Sequence, residues 1–340
     1  PMELFPFDEN EPERAFNRND VAAADSCRDF IRGEDPFFLY FCSFNPHRDG
    51  RTIEENPYRP NSFGNPRKAF PGDTERTFEA DEVIVPPFLN DTPEARAELA
   101  QYYQSIARLD RGIGRLLEIL REEGKYEETL IIYVSDNGAP FPGSKTTLYD
   151  PGMQLPCIVR APGQGTRGVV SDAMVSWVDL TPTILDFADA LPNGSEFHGQ
   201  SIRDILDEPS PVNWRDKIHA SHSLHEITGY YPMRVIRNHR YKFIWNIAAP
   251  LEYPTSRDLW ESATWQAVLR DRPERFGGRL LDAYLHRPAF ELYDIEKDPG
   301  EVVNLALDPS YKDLLESFKA ELHQFQEDTR DPWAHKWSYE

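Results

Sequence analysis

Two short, uninterrupted apolar runs flanking one long amphipathic segment constrain this chain more than anything else in it. Pro36-Phe37-Phe38-Leu39-Tyr40-Phe41-Cys42-Ser43-Phe44 and Thr129-Leu130-Ile131-Ile132-Tyr133-Val134 have the length and texture of strands buried on both faces. Between them, Leu99, Tyr103, Ile106, Leu109, Ile113, Leu116, Leu117 and Leu120 recur at helical spacing. Thr92 followed by Pro93 and Glu94 is a helix start, and Gly124 a stop. Strand, helix, strand in this order predicts an α/β sandwich with a mainly parallel central sheet. Ligands of such sheets gather at the carboxyl ends of the strands.

Polar residues stand at both of those ends. The first run closes in Asn45-Pro46-His47-Arg48 and the second in Ser135-Asp136-Asn137-Gly138. Asp136 and Asn137 place a carboxylate beside an amide oxygen, the donor types that hard cations such as Ca²⁺ prefer, although Asp-Asn-Gly is also a common turn. A strand-end histidine such as His47 can contact an anionic oxygen or move a proton, or it can simply fix its loop. Arg48 reads as a structural ion-pair partner. Lys145 lies in Pro140-Phe141-Pro142-Gly143-Ser144-Lys145, where two prolines and a glycine hold the loop near the strand end. An ammonium there can neutralise a sulfate or phosphate oxygen, and otherwise it is a solvated surface lysine.

The remaining chain is read more coarsely. Residues 1–35 look polar and irregular, and 49–90 look like a long functional loop. Texture changes near Gly194, which predicts a division into a catalytic domain, 1–211, and a smaller C-terminal α+β subdomain, 212–340. Strands are expected at 217–222, within 232–246 and at 290–295. A late helix should present Tyr311, Leu314, Leu315, Phe318, Leu322 and Phe325 on one face. A net charge of −21 opposes non-specific binding to nucleic acid or to an anionic membrane surface. No apolar run reaches the roughly 18 residues of a membrane span. The three cysteines, Cys27, Cys42 and Cys157, have neither metal nor redox spacing, and Cys42 and Cys157 read as buried thiols.

Several stretches, in order, carry a resemblance. Leu109–Gly114, Thr129–Asn137 and Val178-Asp179-Leu180-Thr181-Pro182-Thr183-Ile184-Leu185 resemble the second conserved half of the sulfatase family. Pro36–Arg48, Asp136–Tyr149, His225-Glu226-Ile227-Thr228 with Tyr231–Arg234, Glu291–Asp294 and Asp331-Pro332-Trp333 resemble its N-sulfatase subgroup. The resemblance covers nearly the whole chain and implies an alkaline-phosphatase-like fold with one Ca²⁺. It implies hydrolysis of a sulfamate or sulfate ester on a sugar, such as N-sulfoglucosamine in heparan-type glycosaminoglycans. By position, Asp136 and Asn137 match metal ligands, and His47 matches a histidine at the sulfate or leaving group. Lys145 matches a catalytic basic residue, where the N-sulfatases carry Arg. His225 and Glu226 match the substrate side, as does Asn45, although an acidic residue is expected there.

The resemblance further implies a formylglycine nucleophile made within Cys-x-Pro/Ala-x-Arg. None of the three cysteines stands in that motif. The expectation is therefore that the nucleophile and the aspartates completing the metal site lie in an upstream segment absent from this chain, which alone would be inactive. All four of His47, Asp136, Asn137 and Lys145 are expected in one cleft. Two other readings stay open: a phosphodiesterase or phosphonate hydrolase of the same superfamily, and an inactive binding module. A homodimer is left open. A periplasmic, secreted or lysosomal address is expected for the intact protein.

Overall fold

The structure is a computed structural model that describes residues 7–9, 18–48, 61–66, 68–71, 73–194 and 197–338. The helices used below are α1 (Asp20–Ser26), α2 (Pro93–Glu122), α3 (Leu180–Phe187), α4 (Ala263–Asp271) and α5 (Lys312–Asp328). The strands are β1 (Ile131–Val134), β2 (Cys157–Arg160), β3 (Lys217–Leu224), β4 (Tyr230–Asn238), β5 (Tyr241–Asn246) and β6 (Phe290–Asp294). The chain forms two compact units: Pro1–Thr129 with Arg257–Asp271, and Leu130–Ser256 with Arg272–Glu340. The sequence-based division near residue 212 falls within the second unit, just ahead of β3, and stays a proposal about domain organisation.

In the first unit, α2 begins and ends where its residues dictate. Thr92 is extended, its Oγ1 accepts the Ala95 amide at 3.1 Å, and Pro93 occupies the first turn. Beyond the last turn, Gly124 takes a φ of +71°. Thr92→Ala is expected to lower stability in urea unfolding by about 1 kcal/mol, the usual worth of such a cap. An unchanged midpoint would mean that packing alone fixes this end.

The buried face of α2 is only in part the apolar one its periodicity suggests: Leu99 and Leu120 are buried as expected. Ile106 is exposed, whereas Glu98, Ser105, Arg108 and Gly112 are buried. Gly112 is needed for contact: a Cβ there would lie 2.2 Å from the Cβ of Asp20, in α1. The residues 1–35 are also less irregular than expected, since α1 and a short helix at Arg28–Arg32 form there, the former capped by Asn19 Oδ1 accepting from Ala22 N. Part of the expected 49–90 loop (49–60, 67 and 72) lies outside the described residues. Its described part is tied to α2 through Asp73–Arg111 and Glu75–Arg108 ion pairs.

The run 36–44 departs from expectation. It is extended but forms no ladder among the described residues, and its side chains alternate between half-buried and exposed. Phe38 is 57% and Tyr40 72% exposed. An extended segment with one covered face gives that alternation, whereas a strand inside a parallel sheet would be covered on both. Cys42 is exposed for the same reason, and Cys157, on the two-stranded β1–β2 ribbon, is exposed too, so neither is the buried thiol expected. All ladders among the described residues are antiparallel, including β1 with β2, so the mainly parallel pairing expected is not found among them.

In the second unit, β3-β4-β5-β6 form one antiparallel sheet in that order. The turn between β4 and β5 is an Asx turn, with Asn238 Oδ1 accepting from the amides of Arg240 (2.9 Å) and Tyr241 (2.6 Å). Alternation sorts the side chains by face. Ile236, Phe243, Trp245 and Leu292 meet Leu315, Phe318 and Leu322 of α5, the helical face expected from the sequence. The opposite face is also buried, and beside apolar Met233, Val235 and Ile244 it carries charge. Lys242, fully buried, contacts Asp150 Oδ1 at 2.6 Å, Glu301 Oε1 at 2.7 Å and the Leu148 carbonyl at 3.1 Å. Arg237 forks onto Asp150 at 3.0 and 2.9 Å. This charged floor anchors the segment that carries Lys145.

Candidate active site

The strand-end turn after β1 is fixed from two sides. Trp177 Nε1 donates to the Ser135 carbonyl at 3.0 Å, and Ser135 Oγ donates to the Asn137 carbonyl at 2.8 Å. Trp177 is itself held by the Val178–Leu185 stretch. Fully buried Asp179 accepts from the amides of Ser176 (2.8 Å) and Gln200 (2.9 Å) and pairs with Arg215. That motif is thus a bracket for the turn and the start of α3.

Asn137 Nδ2 donates to the Gly138 carbonyl at 2.9 Å, which leaves its Oδ1 as an acceptor. Asp136 is exposed, and its carboxylate has no partner among the described residues. Gly138 is there for contact and not for a turn: a Cβ would lie 2.5 Å from both Ser144 Oγ and the Pro151 carbonyl. The Lys145 loop therefore folds directly back on the Asp136–Gly138 turn, with the Lys145 amide donating to the Ala139 carbonyl at 3.1 Å. Lys145 is only 3% exposed, so it is not a solvated surface lysine. The sequence-predicted residues Asp136, Asn137 and Lys145 come together in one segment.

His225 is exposed and Glu226 half-buried, after β3 in the same unit. Nearby, burial pushes His222 down to about 4, reinforced by the positive charges of His225, Arg287 and Arg234. Sequence reasoning missed Arg279 and Arg287. Both are buried and lie over the ring of Tyr149, at 3.6 and 4.9 Å from its centroid. The only signal for them was charge within otherwise apolar stretches near Tyr284 and Phe290.

His47 and Asn45 belong to the first unit. His47 is exposed, and its Nδ1 lies 2.6 Å from the Arg48 carbonyl. Because a carbonyl only accepts, that contact makes Nδ1 the donor and leaves Nε2 uncommitted. Arg48 is the structural partner expected, forking onto buried Glu98 at 2.8 and 3.1 Å. Asn45 differs from expectation. It is 3% exposed, its Oδ1 accepts from Arg18 (3.1 Å), Ser105 (3.0 Å) and Arg108 (2.9 Å), and its Nδ2 donates to Asp20 Oδ2 at 2.8 Å and the Arg18 carbonyl at 3.1 Å. With every polar atom engaged, Asn45 supports the His47 turn and offers no group to a sugar.

Residues 6–190 match the family model described as Sulfatase, and residues 143–261 match that of N-sulphoglucosamine sulphohydrolase, C-terminal. The chain belongs to the sulfatase family. It is 36% identical to the human N-sulphoglucosamine sulphohydrolase over 98% of its own length and 70% of that relative's. An ulvan-active sulfatase of Formosa agariphila is 27% identical over 86% of this chain and 52% of the relative. The chain thus spans between about half and 70% of the length of these sulfatases. A solved 2-O GAG sulfatase aligns with a TM-score of 0.61 at 18% identity, covering 92% of this chain and 64% of that one. A second, solved with D-glucosamine-2-N,6-O-disulfate, gives 0.52 at 22% identity over 72% of this chain and 44% of that one. These likenesses give the alkaline-phosphatase-like sulfatase fold.

Sulfatases generally work with a divalent metal ion. The chemistry of the donors in this sulfatase chain fits one in part. Asp136 and the free Oδ1 of Asn137 are adjacent hard oxygens, one of them charged and unengaged. Among the described residues no group of three or more His, Cys, Asp or Glu side chains could hold a metal by itself. Also among them, no helix is long and apolar enough to cross a membrane.

Proposed function

We propose that this chain is the metal-binding and substrate-side part of a hydrolase that removes the sulfate of a sulfated sugar, with N-sulfoglucosamine as substrate. The observation that supports the reaction class is the Asp136–Asn137 pair of hard oxygens on a turn against which the loop of the buried Lys145 folds. The likeness to the human N-sulphoglucosamine sulphohydrolase carries the choice of sugar.

Hydrolysis converts R–NH–SO₃⁻ and water into R–NH₃⁺ and SO₄²⁻. Asp136 and Asn137 would hold a Ca²⁺ ion, which when bound neutralises sulfate oxygens and orients sulfur for attack. Lys145, in a site screened from water, stabilises negative charge gathering on those oxygens. The leaving nitrogen must be protonated as its bond to sulfur breaks, and His47, whose Nδ1 is committed to the Arg48 carbonyl, is the candidate that the resemblance supplies for that proton transfer. Glu226 and His225 face the sugar. Cys27, Cys42 and Cys157 stand in no Cys-x-Pro/Ala-x-Arg motif, so none of them is proposed as the source of a formylglycine nucleophile.

The test is sulfate release by the full-length protein from N-sulfoglucosamine and from 6-O-sulfated glucosamine. Turnover of the N-sulfate is expected. Turnover of the 6-O-sulfate alone would keep the reaction and remove the assigned linkage. The 340-residue chain alone should bind calcium weakly, with a Kd above about 10⁻⁴ M, because two ligands are far short of the roughly six to eight that Ca²⁺ takes. Calorimetry giving micromolar affinity would mean that further ligands sit among these residues.

A further inference from the structure

Lys145 stands between two residues with positive φ, Gly143 at +85° and Thr146 at +69°. Glycine adopts that conformation freely, but a β-branched residue does so only when its surroundings impose it. Here two tyrosines, each more than a hundred positions away in sequence, impose it from both ends of the loop. Tyr253 Oη donates to the Thr146 carbonyl at 2.8 Å and lies 2.9 Å from Thr146 Oγ1. Tyr284 Oη accepts the Gly143 amide at 3.1 Å. Arg287 braces the pair: its Cζ lies 3.4 Å from the Tyr253 ring centroid and 5.2 Å from that of Tyr284, and its Nε donates to the Tyr284 carbonyl at 3.2 Å. Arg287 is 3% exposed, so a guanidinium has been buried here with aromatic faces as much of its company.

We infer that Tyr253, Tyr284 and Arg287 are positioning residues that clamp the Lys145 loop in its strained conformation and so fix where the ammonium points. The inference rests on the role proposed for Lys145. Each link has its own physical cause. The hydroxyls fix the backbone at Gly143 and Thr146, the guanidinium fixes the rings, and the strain at Thr146 is the reason a clamp is required. None of the three touches substrate in this scheme; they act through the loop.

The test begins with Tyr253→Phe, which keeps the ring over Arg287 and removes both contacts to Thr146. Hydrogen exchange of the peptide spanning 143–147 should speed up roughly tenfold, as expected for the loss of a net hydrogen bond or so. In the full-length protein kcat should fall by a similar factor, with KM for the sulfated sugar moving by less than about twofold, because a misplaced charge is felt mainly in the transition state. Adding Thr146→Gly to Tyr253→Phe should restore both, since glycine holds a positive φ without a clamp. A residue that only stabilises the fold would not be rescued in kcat by relaxing one loop dihedral. If Tyr253→Phe does not fold, Tyr284→Phe gives the same reading through the Gly143 amide. Unchanged exchange at 143–147 overturns the clamp. Faster exchange with unchanged turnover overturns the positioning role through the failure of Lys145's proposed role.

Discussion

Glu98→Ala is expected to destabilise the first unit by about 3–5 kcal/mol, the range for breaking a buried ion pair from one side. Glu98 is fully buried on α2 and accepts from six donor groups. Two are the Arg48 fork, one is Ser62 Oγ at 3.0 Å, and three come from the start of α4: Ala263 N and Thr264 N, both at 3.1 Å, and Thr264 Oγ1 at 2.5 Å. The carboxylate therefore does what an N-cap side chain does, but from another helix, meeting amides that α4 cannot satisfy itself. Its removal strands the buried Arg48 charge and frees that helix end together. Urea unfolding measures the loss, and a change under 1 kcal/mol would show that water enters and replaces the carboxylate.

The same residue sets an acid dependence. Burial alone would push the Glu98 carboxyl up, but the Arg48 charge and the hydrogen bonds from Arg48 and Thr264 outweigh it and hold the carboxyl below its ordinary value of 4.5. A depressed carboxylate contributes fully above the unfolded value and loses that contribution as pH falls through the folded one. Stability of the first unit should therefore drop as pH falls below about 4.5, and the drop should be smaller in Glu98→Ala. A wild-type midpoint independent of pH through that range would contradict the pairing.

What could be read from sequence follows from the range of the interactions concerned. The limits of α2 were legible because Thr92, Pro93 and Gly124 act within a turn of the helix end. The face of α5 was legible because apolar spacing reports burial directly. The buried side of α2 was legible at Leu99 and Leu120 but not at Glu98 and Arg108, which are polar and become core residues only once Arg48, Asn45, Asn65 and Glu75 arrive from distant segments. In the run 36–44, apolar composition does not distinguish two covered faces from one, and one is covered. In the proposed site, Asp136 and Asn137 are singled out by donor type at a strand end, and Lys145 by its Pro-Phe-Pro-Gly setting. The clamp around Lys145 could not be foreseen, because Tyr253 and Tyr284 are separated from their loop partners by 107 and 141 residues. Tyrosines there read as ordinary core.

Lys145→Ala should lower turnover of N-sulfoglucosamine by the full-length protein about 10²–10³-fold, the loss typical of one preorganised donor to a developing oxyanion. The size follows from burial. A lysine at the surface would be screened by water and worth little, whereas Lys145 is 3% exposed on a loop clamped at both ends and anchored to the charged floor of the sheet. A charge so fixed does not reorganise when the reaction begins, so its effect falls on the transition state. The sulfate of the substrate is already anionic, however, and part of the attraction exists before reaction. The fall should therefore appear mostly in kcat, with a smaller rise in KM. The fold should survive, because the floor under the loop is built from ion pairs among Lys242, Arg237, Asp150 and Glu301 that the substitution leaves in place. Steady-state kinetics on matched preparations, with unfolding curves alongside, decides the matter. A rise in KM with kcat unchanged would make Lys145 a ground-state sulfate anchor, and turnover within about threefold of wild type would remove it from the chemistry altogether.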